Sequence, residues 1–416
     1  MFRFFPRTGL WQHRDFKRLW AGQTVSMFGS MVSTIAIPFA AIIELDASPF
    51  NIAALRVAQV APAFLVGLIA GAVADRMHRR PLMIGADVLR AVLLGLIPLA
   101  AVFDVLSIWL LVAVSAGLSV CSVMFDVAYQ AYLPSLVGRG QLVEANSKLT
   151  ASASVAESSA FAAGGWLVQL LTAPVAIFID ALTFLWSAVA IRTIEHVEVA
   201  QARTGDEEHL LREAAAGVRR VVNDGGLLAL AGSAAIFNLS TSVFGAVFLL
   251  FVTNELDFEP GSLGLIFAVG GVTSLIGAVL AERVIDGLGP PRAMAVMLLI
   301  VAIGKAVVPV SPEVSLLAVA LLVANQLIVD PAWTVFEIAG VSTRQMITPD
   351  AWLGRVNGTF RVVEFGAVLL GALIGAWIGT EFGLREALWV AVAGTVVAVV
   401  PLMFASQLRT SEVAQE

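Results

Sequence analysis

Six apolar runs long enough to cross a bilayer, one polar gap, then six more such runs: no other feature of this chain restricts its fold as much. The runs lie at about 19–43, 52–74, 81–103, 107–131, 146–171 and 173–192, then at about 227–253, 261–281, 293–311, 314–338, 357–380 and 385–405. Each is close to the ~20 residues a spanning helix needs. Charge is scarce to match, 13% of 416 residues with 59% hydrophobic, where soluble domains carry roughly 25% charged residues. A soluble fold of this composition would expose sticky surface over most of its length. The expectation is an all-α integral membrane protein. The run at 146–171 is the most polar, holding Ser147, Ser152, Ser154, Glu157, Ser158 and Ser159. Lipid would not tolerate that helix, so it must face protein or a water-filled cavity.

Orientation follows from the basic residues near the span ends. An even number of spans puts both termini on one side, and a cytoplasmic placement gathers Arg76, Arg79, Arg80, Arg139, Lys148, Arg203, Arg212, Arg219, Arg220, Arg283, Arg292, Arg344 and Arg355 inside. Only Arg56 and Arg385 then sit at outer ends, among acids such as Glu44, Asp46, Glu255 and Asp257. The chain divides into a cytoplasmic leader (1–18), a first six-helix bundle (19–192), a linker (193–226), a second bundle (227–405) and a cytoplasmic tail (406–416). The basic leader runs into a full-length span, so it reads as retained and not as a signal peptide. In the linker, an acidic first turn at Asp206 and apolar Leu210, Leu211, Val218, Val221 and Val222 fit an amphipathic helix along the membrane surface, or equally a solvated connection.

The tightest corner is Gly71-Ala-Val-Ala-Asp75-Arg76-Met-His78-Arg79-Arg80-Pro81, between the second and third runs. It is echoed by Gly277 to Glu282-Arg283 between the eighth and ninth. Gln130 and Pro134 return as Gln345 and Pro349, and Asn146 as Asn357. Repeats 206 to 215 residues apart indicate a duplicated six-helix unit. The corner resembles the signature loop of the major facilitator superfamily. With Arg14-Asp15-Phe16 to Gly22-Gln23, Asp87 to Arg90, Tyr132-Leu-Pro134, Ala145-Asn146-Ser147, Ile179-Asp180-Ala181 and Arg355-Val-Asn357 to Arg361, the chain is similar to the subgroup of bacterial drug, macrolide and siderophore efflux pumps that includes the enterobactin exporter. The resemblance implies twelve transmembrane helices in two pseudo-symmetric six-helix bundles, the major facilitator fold. Ala160 to Gly165 keeps the glycine pair of the antiporters' fifth helix but not its Gly-Pro.

An ionisable group inside a span is costly and needs a partner or a task. Glu157, ten to twelve residues into the fifth run, stands near the bilayer midplane. It is either a proton carrier or a neutral carboxylic acid bonded to a neighbouring helix. The resemblance implies an inner gate, for which Gly71, Asp75, Arg76, Arg79, Arg80 and Asp126 are the candidates; topological anchoring serves Arg79 and Arg80 as well. Asp87 and Arg90, three apart, share a helix face and can pair; Asp180 is read as structural. Asp330-Pro331 is expected to break span ten at a cavity. Asp330 and Glu364 join Glu157 as proton-coupling candidates, and Arg361, one turn from Glu364, is its expected partner. Phe237, Asn238, Asn325, Gln326, Trp333 and Phe336 are candidates for a substrate cavity, each also suited to helix packing. Gly371, Gly375 and Gly379, every fourth residue, predict close helix approach.

Cys121 is the one cysteine, and His13, His78, His196 and His209 all lie in polar segments, so neither a disulfide framework nor a metal ligand set is expected. No cofactor is expected either. Gly304-Lys305-Ala lacks the upstream glycine and the hydroxyl of a phosphate loop, and no His-Glu-x-x-His or Gly-x-Ser-x-Gly occurs. A nucleotide-driven pump and a membrane enzyme are therefore disfavoured. The expected function is secondary active export of bulky amphipathic small molecules, coupled to protons, by a monomer in the bacterial cytoplasmic membrane. No nucleic-acid partner is expected; the alternative function is translocation of a lipid or lysophospholipid.

Overall fold

The computed structural model describes residues 9–76, 78–138, 141–196, 210–313, 315–349 and 352–404, and within them all side chains except those at 67–76, 143, 154, 157–158 and 210–214. Its described residues form thirteen α-helices and no strand. Helices α1 (Arg14–Phe39), α2 (Pro49–Arg76), α3 (Arg79–Val102), α4 (Ile108–Val137), α5 (Leu142–Leu171) and α6 (Ala173–Arg192) match the first six apolar runs. A short helix, α7 (Leu210–Asn223), precedes α8 (Gly225–Leu250), α9 (Pro260–Leu288), α10 (Pro290–Ala306), α11 (Leu316–Ile347), α12 (Leu353–Glu381) and α13 (Leu384–Val397). Among the described residues ten helices are long and apolar enough to cross a membrane. Of the other two at run positions, α5 has a shorter apolar stretch, Ser159–Leu171, among its described residues, and α10 is 17 residues long.

Local chemistry sets where these helices begin. Ser107, Asp224 and Ser315 accept from the backbone N–H three residues on, at 3.3, 3.0 and 3.2 Å, and the His13 Nδ1 does so for Phe16 at 3.1 Å. These caps satisfy first-turn donors that have no carbonyl to reach. Proline opens α9 and α10, where its missing N–H costs nothing.

The duplication is written into the backbone at one offset. Arg14 and Gly225, Pro49 and Pro260, Arg79 and Pro290, Leu142 and Leu353, Ala173 and Leu384 open corresponding helices, each pair 211 residues apart. Both α1 and α8 end in a turn of π-helix, Ala40–Glu44 and Phe251–Glu255. An aspartate in the left-handed region follows each turn, Asp46 at φ 46° and Asp257 at φ 57°. Thr172 (φ 85°) and Gly383 (φ 119°) keep the same spacing. This register puts Asp286, not Glu282, at the position equivalent to Asp75.

Two compact units emerge. The first holds α1, α3–α6, most of α2 and Pro260–Ala268 of α9; the second holds Ser48–Val57 with the start of α2, α7, α8, the rest of α9 and α10–α13. In the first, Phe16, Met83, Phe125, Tyr132 and Ile191 centre the core; in the second, Phe237, Leu298, Phe336, Val356 and Phe360 do. Each unit also contains a small-residue seam. A Cβ on Gly165 would lie 2.4 Å from the Pro260 carbonyl oxygen, and one on Gly264 would lie 2.7 Å from that of Phe161, so α5 and α9 touch backbone to backbone. In the second unit Ala53 of α2 packs on Ala372 and Ala376 of α12. Those three alanines are the 211-residue equivalents of Gly264, Phe161 and Gly165.

The glycine spacing on α12 does what it predicts. Carbon on Gly371 or Gly375 would lie 2.3 and 2.8 Å from the Leu239 and Val243 carbonyl oxygens of α8. By contrast, α11 is one continuous helix with Pro331 inside it, which corrects the expected break. Pro331 leaves the Leu327 carbonyl without its helical donor, and Gly277 of α9 fits so closely that its Cβ would lie 2.5 Å from the Pro331 oxygen. The helix runs on through Pro331 with Gly277 of α9 packed against the Pro331 backbone.

Candidate functional site

In the first unit the corner arginines act on helix carbonyls. Arg79, 8% exposed, donates to the Ala131 oxygen of α4 at 2.8 Å. Arg80 donates to Ile191 and Arg192 at 3.2 and 2.6 Å. The two acceptors at the end of α6 lie where the helix dipole is negative, so a guanidinium is favoured there twice over. The side chains of Gly71, Asp75 and Arg76 lie outside the described residues. Asp126 is exposed on α4 and interacts electrostatically with Arg90 of α3.

Behind the corner, Arg90 meets Asp87 at 3.1 Å, donates to the Cys121 oxygen at 3.2 Å and lies over the rings of Phe125 and Phe184 at 4.7 and 5.0 Å. Asp180 accepts from Ser33 of α1 at 2.5 Å and from Thr183 at 2.9 Å. A Cβ on Gly29 would strike this carboxylate. Both acids are buried: Asp87 is paired with Arg90 of its own helix, which reaches α4, and Asp180 ties α6 to α1 through Ser33.

A cleft of about 530 Å³ runs between α1 and α5, walled by Trp20, Thr24, Phe28, Ser152, Val155 and Ser159 among others. Trp20 Nε1 donates to Ser152 Oγ at 2.7 Å, while the buried Thr24 Oγ1 has no hydrogen-bond partner among the described residues. The wall is apolar with a few hydroxyls, which suits an amphipathic guest. Position 157 falls in the same turns of α5, but the Glu157 side chain lies outside the described residues. Sequence reasoning missed this cleft, although the signal exists: 20, 24 and 28 recur at helical spacing, as do 152, 155, 156 and 159.

The second unit gathers the other candidates on α8 and α11. Phe237 packs on Phe336 and Trp333 at ring distances of 4.9 and 6.0 Å. Phe237 and Phe336 are core residues, whereas Trp333 is exposed and donates to Glu337 at 3.3 Å. Asn325 is buried and donates to the Gly304 oxygen at 3.0 Å, joining α11 to α10, and Asn238 donates to Ala234 of its own helix at 2.9 Å. Gln326 and Asp330 both face Gly270 of α9, whose Cβ would lie 2.6 and 2.2 Å from their polar atoms. The buried Asp330 Oδ2 has no hydrogen-bond partner among the described residues. Glu364 pairs not with Arg361 but with Arg344 of α11, at 3.8 Å. Arg361 is exposed, and Arg344 lies over Phe360 at 4.5 Å. Position 344 is distant in sequence, so helix spacing on α12 alone points to the wrong partner.

One residue of α10 went unremarked by any spacing rule. Lys305, 3% exposed, donates to Thr241 at 2.9 Å and Thr395 at 3.5 Å and sits 5.1 and 5.5 Å from the rings of Phe237 and Phe244. No carboxylate pairs with it among the described residues.

Twelve bundle helices in two repeats 211 residues apart define the class: a membrane protein of the major facilitator fold. The chain belongs to the transmembrane secretion effector family of that superfamily, which it matches over residues 9–416. It is 26% identical over 249 residues to macrolide efflux protein A of Streptococcus pyogenes, 59% of this chain and 60% of that protein. It is 28% identical over 254 residues to the uncharacterized MFS-type transporter y4rN of Sinorhizobium fredii, 60% of each. The matched region thus spans about three fifths of these relatives' length. Two solved structures share the fold. The nucleoside transporter NupG superposes with a TM-score of 0.78 at 14% identity, covering 94% of this chain and 98% of that one. An inward-facing bacterial homologue of the iron transporter ferroportin gives 0.74 at 18%, covering 96% and 100%.

Proposed function

We propose that this transporter exports bulky amphipathic small molecules, of the drug, macrolide or siderophore class, from the cytoplasm by alternating access and proton antiport. The observation that carries the reading is the α1–α5 cleft, whose ~530 Å³ falls within the roughly 300–1,000 Å³ of drug-sized sites. An aromatic wall with hydroxyls and few fixed charges selects for apolar bulk and tolerates variety in shape. The macrolide efflux relative supports the direction. Coupling falls first to Asp330, which has no ionic partner among the described residues and whose Oδ2 is unbonded, and to Glu157. Glu364 is the weaker candidate because Arg344 already faces it. Asp75, Asp126 and the corner arginines form the inner gate. The transporter works as a monomer in the bacterial cytoplasmic membrane with both termini inside, and 19–192 and 227–405 are its moving halves.

The test is expression in an efflux-deficient bacterium challenged with a drug and siderophore panel, with and without a protonophore. Protection that the protonophore removes, and that Trp20→Ala and Phe28→Ala alter compound by compound, is the expected result. Lipid translocation in proteoliposomes with no protection by any compound would overturn the substrate class. Protonophore-insensitive efflux would overturn the coupling.

A further inference from the structure

A second cleft, of about 490 Å³, lies between the first turns of α1 and the last turns of α6 in the first unit. Its α1 wall carries Arg14, Lys17 and Arg18; its α6 wall carries Trp186, Val189 and Thr193. Positions 14, 17, 18 and 21 share one face of α1, and 186, 189, 190 and 193 share one face of α6, by the three-and-four spacing of helix neighbours. The three cations are not equivalent. Arg18 is already neutralised, by Asp15 at 2.8 Å and Glu195 at 3.1 Å. Arg14 is exposed and Lys17 half-buried, and neither has a carboxylate partner among the described residues. Two uncompensated cations therefore stand at the mouth of a cleft whose other wall is apolar.

That apolar wall continues along α6. Val175, Phe178, Leu182, Leu185, Trp186 and Val189 are all exposed, Trp186 by 54% and Val189 by 58%. A stripe of this length on a spanning helix faces acyl chains, because water would not tolerate it. Trp186 stands seven residues before Thr193, roughly 10 Å deeper at 1.5 Å per residue. Cations at the surface and an open apolar groove leading from them into the hydrocarbon form the outline of one ligand. We infer that this cleft binds an anionic phospholipid, its phosphate between Arg14 and Lys17 and an acyl chain along Trp186 and Val189. Basic pockets between helices on a membrane face recognise such headgroups by charge. A soluble phosphate would satisfy the cations and leave the groove empty; a zwitterionic lipid would fill the groove and leave the cations uncompensated. The inference rests on α1 and α6 being spans and is independent of the substrate, direction and coupling proposed above.

The test uses the purified full chain in detergent and native mass spectrometry. Wild type is expected to retain phosphatidylglycerol at lipid concentrations where phosphatidylcholine has dissociated. The Arg14→Gln/Lys17→Gln double variant should lose phosphatidylglycerol occupancy on the order of tenfold, with helical circular dichroism unchanged. Glycerol phosphate, the headgroup without chains, should fail to compete. Equal retention of the two lipids by wild type would overturn the inference, and that comparison stands even if the variant does not fold. So would a folded double variant that holds phosphatidylglycerol as wild type does, or displacement of the lipid by glycerol phosphate at matched concentration.

Discussion

Gly264→Ala is expected to loosen the α5–α9 seam and so to open the buried face of α5 there. The added carbon would lie 2.7 Å from the Phe161 oxygen and 3.0 Å from the Gly165 Cα. Ordinary carbon contacts settle at roughly 3.5–4.0 Å, so the helices must part by most of an ångström. A radial gap of that size forfeits about a quarter to a half of each dispersion contact along the seam, and overpacking of this kind typically costs about 1–3 kcal/mol. If the seam closes in one transport state and parts in the other, that cost shifts the equilibrium by roughly 5–150-fold. Val168, 4% exposed and one turn beyond Gly165, provides the reporter. A Val168→Cys substitution in a Cys121→Ser background, labelled with a membrane-impermeant maleimide, should react faster by that factor when Gly264→Ala is added. Gly366→Ala is the control, since nothing lies within 4 Å of its added carbon. Adding Gly165→Ala to Gly264→Ala should cost less than the sum, because helices already parted accept a second methyl cheaply. Unchanged labelling in a normally folded Gly264→Ala protein would refute the claim that this seam separates during the cycle.

Three further outcomes follow from single sites. Lys305→Met should leave thermal stability unchanged or raise it, because a buried amine with no carboxylate partner among the described residues gives way to an apolar chain of similar volume; a lower melting temperature would show that the threonine and ring contacts outweigh desolvation. Thr172→Gly should raise the melting temperature. A β-branched residue at φ 85°, ψ 156° carries strain of about 1–3 kcal/mol, and the equivalent position already holds Gly383. Glu144, outside the span, accepts from the Leu10 N–H at 3.0 Å and pairs with Lys148 at 3.3 Å; these contacts, the backbone bond first, hold its carboxyl below the usual range. A lowered folded value means stabilisation present above the unfolded carboxylate value and lost as pH falls through the folded one. The Gly9–Gln12 turn should therefore detach in acid, read as a change in Trp11 fluorescence that Glu144→Gln shows already at neutral pH.

The twelve runs, the polar gap and the repeat were legible because bilayer thickness fixes how long an apolar run must be, and no tertiary contact can change that. The i, i+3 pairing of Asp87 with Arg90 was legible for the same kind of reason, since one helix supplies both groups, and so was the close approach spelled by Gly371, Gly375 and Gly379. What the sequence left undecided was which face of each helix looks where. In water, polar and apolar faces announce themselves; in a span both lipid and protein interior are apolar, so periodicity falls nearly silent. Hence Glu364 takes Arg344 from another helix in place of Arg361 on its own, and Asp330-Pro331 lies in an unbroken helix packed against Gly277 of α9. Lys305 and the wall of Trp20, Thr24 and Phe28 acquire meaning only beside Thr241 and α5. Run length and the 211-residue repeat are enough to make this chain a duplicated set of spans. Only tertiary packing decided which polar groups are paired, which stand alone and where a guest could fit, because those depend on rotations about helix axes that apolar runs do not encode.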